Sequence, residues 1–455
     1  MPTYAKLPMM VITVESLPGC EKERLINGDV SIERELVATR IEESKEGSVC
    51  PKAQVIRLLG RAEEIGPQIS AVLFEQAIRA ADFSPESLAC LLEAPWKIPT
   101  EEYETKKDLR NTCTFTIDPT SATDLDDALS IEKVSEKVFR IGVHIANVSR
   151  FVLPDTTLDR EARIQSTSVY IPQHKLPMLP PELSEEACSL VSGEDMLAFT
   201  ITWDIDDTGN ITVRSIGRSV IHSCCKLSYD DFDLKDVVDS LKSLHGITKK
   251  MREIRLRNGA FWIETPKLVF LLDESGNPND SFLGPMSMKL KEFQEFCRKR
   301  GLELDALDLR GRDDEWAHYG LSIPLYTHFT SPLRRYADII VHNIGCTLLS
   351  ATVRYGVPAS EVVSEVAAYC NERKRASKHA EQSVENIYLS ALLKNKEVMF
   401  SDARVLRVGS TFMTFYINKF AIERRIYFGE VEGLTIEWTE TTGTLVLNAL
   451  KTKPS

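Results

Sequence analysis

Hydrophobic and polar positions along the chain fall into blocks whose period changes twice. Ala53 to Leu59 and Ser70 to Phe74 are short and apolar, separated by Gly60 and Gly66, and read as strands of a small β unit. Residues 1–47 ahead of them show little regular pattern. Pro85 to Leu92 reads as a short helix, and Pro95 to Pro99, with Trp96, as a linker. Strands then dominate: Thr114 to Ile117, Val138 to Ile145, and a hairpin of Leu197–Ile205 and Ile211–Ile221 around Asp207-Thr208-Gly209-Asn210. Further on the period lengthens. Ser331 and Pro332 have the form of an N-cap followed by proline in the first helical position. Leu333, Tyr336, Ala337, Ile340, Val341 and Ile344 then recur every three to four residues, one buried helix face. A second helical pattern opens at Ser360 and runs toward Lys394. Strand patterns return at Ala403–Val408, Phe412–Ile417 and Glu423–Phe428, so the chain reads as α+β.

With 455 residues, 43% hydrophobic and 27% charged, the chain is globular and long enough for about three domains. Its net charge of -12 excludes a uniformly basic nucleic-acid coat protein and leaves room for a local basic groove. No run approaches the roughly 18 apolar residues of a spanning helix, so no membrane association is expected. Leu7 to Val14 makes a poor signal segment: Pro8 interrupts it, Glu15 follows, and no small-residue cleavage pattern is evident. The ten cysteines contain no C-x-x-C pair, which argues against a zinc ribbon or a thioredoxin-like site. Their even spread suits a reducing compartment, cytosolic or nuclear, with most of them acting as small buried apolar residues.

The sharpest chemical signal follows the strand at Thr114. Asp118, Asp124, Asp126 and Asp127 lie within ten residues. Carboxylates this close raise one another's pKa unless a cation sits among them, and Mg²⁺ is the natural hard partner, with Mn²⁺ as an alternative. Two such ions would clamp the attacking and leaving oxygens of a phosphodiester. The plain alternative is a solvated acidic turn. An EF-hand does not fit, because Thr123 and Leu129 occupy the positions of its glycine and its glutamate.

A second stretch, Tyr326 through Asp338, places Arg334 and Arg335 in the first turn of the expected helix, where they oppose the helix dipole unless an anion is near. A phosphate is such an anion, gripped bidentately by guanidinium; the alternative is an exposed surface arginine. Residues 328–396 hold nine Lys and Arg against six Asp and Glu, a local excess that suits a polyanion channel or, equally, a solvated helix face. Tyr170, in a proline-rich segment, is placed to stack on a base or to pack in a core. His144, on an apolar strand, reads as a packed histidine, as do His328 and His342.

Taken together, Asp118-Pro through Asp124-Leu-Asp-Asp-Ala, Gly142-Val-His-Ile-Ala, Tyr170-Ile-Pro through Pro177-Met-Leu-Pro, Leu227-Ser-Tyr and Tyr326 through Asp338 resemble the RNB (RNase II) exoribonuclease family over most of residues 80–390. Phe83-Ser through Pro95-Trp-Lys-Ile-Pro, Lys107-Asp-Leu-Arg and Phe420-Ala-Ile-Glu-Arg-Arg-Ile-Tyr resemble its eukaryotic Dis-three-like exonuclease two branch. The resemblance implies a partial cold-shock (OB-like) region and linker at 1–95, a mixed α/β RNB catalytic domain at 96–396, and an incomplete S1-like OB domain at 397–455. It implies Mg²⁺-dependent, processive 3′-to-5′ hydrolysis of single-stranded, 3′-oligouridylated RNA to nucleoside 5′-monophosphates. The protein it implies is a cytoplasmic, exosome-independent monomer, in some settings associated with P-bodies. By position, Asp118, Asp124, Asp126 and Asp127 hold the metals and Asp126 is indispensable. Tyr170 stacks at the 3′ end, Arg334 contacts the scissile phosphate with Arg335 beside it, and Glu381 lies near the active centre.

The chain departs from the family pattern in four places. Helical blocks expected around Gly284-Pro-Met-Ser-Met and from Asp305 to Trp316 are absent. The second stacking aromatic has no counterpart, and Asn147 stands where the family has an acid. These departures motivate a rival reading, a catalytically weak or inactive RNA-binding paralogue.

Overall fold

The computed structural model describes residues 10–42, 50–91, 96–206, 208–227, 235–260, 267–284, 326–349, 359–394, 400–420, 422–431, 434–439 and 444–449. They belong to two compact units, one from residues 1–261 and 309–384, the other from 262–308 and 385–455.

The first unit begins with β1 (Val11–Ile12), α1 (Gly19–Ile26), β2 (Glu35–Ile41) and β3 (Lys52–Arg61), the strands pairing in the order β1-β3-β2. So residues before 47 carry more regular structure than their pattern suggested. Arg24 ties α1 down by bonding Glu21, Asp29 and Glu35. The strand expected at Ser70–Phe74 is instead part of α2 (Ile65–Glu75). Ile65, Ile69 and Leu73 recur every four residues; Ile69 and Leu73 are buried, and Pro67 falls in the first turn, where proline is tolerated.

After α3 (Pro85–Leu88) and α4 (Thr100–Thr105) comes a six-stranded sheet built from β4 (Lys107–Asp108), β5 (Thr114–Ile117), β6 (Asp127–Lys133), β7 (Val138–Ala146), β10 (Asp195–Asp206) and β11 (Ile211–Leu227). Its order is β10-β7-β6-β5-β11-β4, and β10 also pairs with β11, so five strands close on themselves. Closure is possible because β11 is 17 residues long: it pairs β10 with its first part and β5 with its last. One core holds Phe115, Ile131, Ile141, Ile205 and Leu227 under α6 (Lys235–Arg257), whose Val237, Leu244 and Ile247 are buried. A second core joins Leu125, Ala128 and Ala146 to α5 (Thr157–Gln165), to the segment carrying β8 (Val169–Tyr170) and β9 (Lys175–Leu176), and to Leu333, Tyr336 and Ile339.

The helix expected from Ser331 begins five residues later, as α7 (Tyr336–Leu349). Residues 331–336 spend their backbone groups on distant partners. Ser331 N–H donates to Asp338 Oδ1 and Leu333 N–H to Asp126 Oδ1, Ser168 N–H donates to the Arg334 carbonyl, and Tyr336 N–H to the Ser166 carbonyl. The expected long helix is present as α8 (Ser360–Lys394).

In the second unit β12 (Lys267–Leu272) and β13 (Pro278–Gly284) form a hairpin, and Tyr388 donates its hydroxyl to the Gly276 carbonyl at 3.2 Å. The C-terminal strands are β14 (Ala403–Val408), β15 (Phe412–Ile417) and β16 (Ile422–Tyr427) in sequential pairing, then the hairpin β17 (Leu434–Thr439) and β18 (Thr444–Ala449), which the pattern did not predict. The family blocks sought after Gly284 and from Asp305 to Trp316 lie outside the described residues.

His144 is a packed histidine, as expected. It is fully buried, with Nδ1 2.9 Å from Thr200 Oγ1 and Nε2 2.9 Å from Ser130 Oγ. Gly142 lies beside this polar chain, and a Cβ there would overlap Ser130 Oγ and sit 2.8 Å from His144 Nε2. Gly142→Ala is therefore expected to lower stability by about 1–3 kcal/mol, measured by guanidinium denaturation. An unchanged midpoint would show that the chain can shift at no cost.

Candidate active site

The acidic loop is fixed before any ligand arrives. Asp118 follows β5 and donates its N–H to the Leu227 carbonyl at the end of β11. Lys226, next in line on β11, caps the loop from outside, its Nζ 3.0 Å from the Thr120 carbonyl and 2.6 Å from that of Ala122. Ser189 Oγ bridges the Thr123 carbonyl and the Leu125 N–H. Leu125, 3% exposed, lies between Asp124 and Asp126. Burying it anchors Asp124 and Asp126 on either side, and Asp127 then opens β6.

The acids meet the basic turn at Asp126. One Asp126 oxygen accepts the Leu333 N–H at 2.9 Å, and the other accepts Arg334 Nε at 3.1 Å. Arg334 is steadied by Ser331 Oγ, 2.8 Å from its Nη2, and its side chain remains 43% exposed. Burial pushes the Asp126 carboxyl up to about 7, against the opposing pull of the Leu333 N–H and Arg334. Burial also raises Asp118, whose Oδ2 is enclosed with no hydrogen-bond partner among the described residues.

Tyr170, 42% exposed, is not a core residue. Its hydroxyl lies 3.4 Å from Asp124 Oδ2, and its backbone N–H donates to Glu381 Oε1 at 3.1 Å. Asp124 Oδ1 also meets Lys175 Nζ at 3.2 Å, and that ammonium reaches Glu185 at 2.8 Å. Burial alone would lower the Lys175 pKa, but Glu185 and Asp124 outweigh it and raise it. A cavity of about 640 Å³ gathers all four aspartates with Tyr170, Lys175, Glu185 and Arg334.

Glu381 and Arg335 do not line that cavity. Glu381 sits on α8 behind Tyr170, bonded also to Ser377 Oγ, and acts on the site by holding the tyrosine backbone. Arg335 directs Nη2 to Asp338 Oδ1 at 2.8 Å. Neither arginine lies in a helical first turn; both precede α7. Asn147 is buried and accepts from Ser149 Oγ. The sequence reading passed over Lys175, Glu185, Lys226 and Ser189. Each is an ordinary polar residue whose partners only the fold brings in.

The fit to a divalent cation is mixed. Four carboxylates form a hard oxygen donor set, and Asp118 Oδ2 is a buried acceptor with no hydrogen-bond partner among the described residues. Yet Asp124 and Asp126 are paired with Lys175 and Arg334, and among the described residues no three acidic, His or Cys side chains converge in metal-binding geometry. The donor chemistry suits Mg²⁺, provided the ion displaces those internal cations.

A family model described as the RNB domain matches residues 106–285 and 286–351, and one described as the Dis3-like cold-shock domain 2 matches residues 1–77. DIS3-like exonuclease 2 of Arabidopsis thaliana is 38% identical, covering 100% of this chain and 57% of its own length. An Arabidopsis protein named Inactive exonuclease DIS3L2 matches to the same extent. The chain thus spans little more than half the length of these relatives. Each alignment runs over 598 residues against 455 here, so the relatives carry internal segments that this chain lacks. Among solved structures, RNase R of Mycoplasma genitalium in complex with ribose methylated single-stranded RNA superposes with a TM-score of 0.80 at 17% identity, covering 98% of this chain and 81% of that one.

A raised carboxyl pKa means that the folded state holds its proton more tightly than the unfolded state, so stability is lost as pH climbs from about 4 to about 7. In EDTA, Asp126→Asn removes this loss. The variant should therefore gain on the parent chain across that window by on the order of 4 kcal/mol, read from denaturation midpoints at each pH. A stability difference independent of pH would contradict the assignment.

Proposed function

This chain belongs to the RNB family, and we propose that it is a hydrolytic 3′-to-5′ exoribonuclease that degrades single-stranded RNA to nucleoside 5′-monophosphates. The observation that carries the proposal is the meeting of the four-aspartate loop, Arg334 and Tyr170 on one cavity. Bound at Asp118, Asp124, Asp126 and Asp127, Mg²⁺ would activate water and stabilise the departing oxygen. The chain's own groups do the positioning. Tyr170 offers an aromatic face to the 3′-terminal base, and its phenol stays protonated, because burial and the Asp124 charge raise its pKa. Arg334, held by Asp126 and Ser331, has further N–H groups for the scissile phosphate. Hydrolysis adds the water oxygen to phosphorus and a proton to the leaving 3′ oxygen, which becomes the next 3′ end.

The finer reading extends the same proposal. The favoured substrates are 3′-oligouridylated RNAs, and the protein works in the cytoplasm as a monomer without the exosome. The second reading, an RNA-binding paralogue of low activity, draws on two observations: an equally similar relative is named inactive, and Asp124 and Asp126 are held by internal cations.

Single-stranded RNA with a 3′ oligouridine tail, incubated with the full chain in Mg²⁺, should lose nucleotides stepwise from the 3′ end. EDTA should stop the loss, and Asp126→Asn should slow it by at least about 10²-fold while leaving RNA affinity intact. Binding without release by the unaltered chain would favour the second reading. Tyr170→Ala should weaken binding of the 3′ end by about 1–3 kcal/mol, measured by fluorescence anisotropy with the variant at Asp126. Unchanged affinity would remove the tyrosine from the binding surface.

A further inference from the structure

Three cysteines come together on the closed sheet, away from the acidic cavity's lining. Cys113 immediately precedes β5, and Cys224 and Cys225 lie near the end of β11. The two strands are parallel neighbours, with Ser223 opposite Thr114 and Cys225 opposite Phe115. Cys224 is the extra residue between those pairs, the point of a register shift. A bulge turns the extra side chain off the regular alternation. Thr114 and Ser223 are fully buried, whereas Cys113 and Cys224 are both exposed. The sulfurs of Cys113 and Cys224 stand 4.0 Å apart, and those of Cys224 and Cys225 stand 3.7 Å apart. Two exposed thiols on adjacent strands need only a modest closure to reach the roughly 2.05 Å of a disulfide. Cys224 and Cys225, although slightly closer, are sequence neighbours, and bonding them would force the strand out of its pairing with β5.

We propose that Cys113 and Cys224 form a dithiol modification site, closed to a reversible disulfide by hydrogen peroxide. The thiolate of one cysteine attacks a peroxide oxygen, gives a sulfenic acid and releases hydroxide. The second thiol then attacks the sulfenic sulfur and expels water. In net terms two thiols and one peroxide yield one disulfide and two waters. Cys225 takes no part: burial and the adjacent sulfurs hold its thiol pKa up at about 12.

The bond would act on a sensitive place. It joins the residue before β5, the strand that leads into Asp118, to β11, whose Lys226 caps the acidic loop and whose Leu227 carbonyl receives the Asp118 N–H. A link between residues 111 positions apart restricts the unfolded chain, so the oxidised form should melt at a higher temperature.

The test treats the reduced full chain with graded hydrogen peroxide, blocks remaining thiols, and maps linked peptides by mass spectrometry. The expected result is a Cys113–Cys224 link that forms before any other, is reversed by dithiothreitol and raises the melting temperature. Hydrogen exchange in residues 118–122 should slow with it. Cys113→Ser and Cys224→Ser should each abolish the link, and Cys225→Ser should keep it. A Cys224–Cys225 link, over-oxidation to sulfinic acid without a link, or first reaction at another cysteine would overturn the proposal.

Discussion

The bond pair at Asp126 is the constraint on which the rest of the site depends. This carboxylate, 5% exposed, accepts from the Leu333 backbone and the Arg334 guanidinium and so joins residues more than 200 positions apart. A buried carboxylate is costly unless its oxygens are satisfied, and here both are. The same two bonds place Arg334 at the acidic cavity, and beside them the Tyr336 N–H goes to the Ser166 carbonyl instead of to a helix opening at Ser331. Asp338 completes the turn from its other side through the Ser331 N–H and the Arg335 guanidinium.

The closed sheet makes this join possible. Because β11 pairs β10 along most of its length and then β5, its end delivers Lys226 and the Leu227 carbonyl to the start of the acidic loop. Leu125 anchors the loop's far end in the core. Four carboxylates are thereby held at close range by packing that they do not themselves supply. Their mutual repulsion is met by Lys175, Lys226 and Arg334, which stand as internal counter-ions. Any divalent cation entering the cavity competes with lysine and arginine for the same oxygens.

Much of this was legible in the sequence, and the failures have local causes. The strands β5, β7, β10 and β11 follow their apolar runs, and the helix α8 follows its helical pattern. The acids, Arg334 and Tyr170 could be named because unusual residue types crowd into short stretches. The helix begins five residues after Ser331: Ser-Pro is a good local signal, but the distant Ser166 carbonyl takes the Tyr336 N–H that such a helix would bond internally. The strand reading of Ser70–Phe74 missed the four-residue spacing that begins at Ile65. Lys175, Glu185 and Lys226 were not legible, because each gains its meaning only from a partner brought in by the fold. Glu381 was suggested by family resemblance alone, and the structure gives it a physical task, holding the Tyr170 backbone.

The central claim is that the four aspartates, despite their internal counter-ions, make one cation-binding centre. Anomalous diffraction from crystals of the full chain grown with Mn²⁺ tests this most directly. The account predicts an anomalous peak contacting Asp118 and at least one of Asp124, Asp126 and Asp127, with the Lys175 contact to Asp124 or the Arg334 contact to Asp126 broken. A cavity free of anomalous density at saturating Mn²⁺, with both contacts intact, would contradict it.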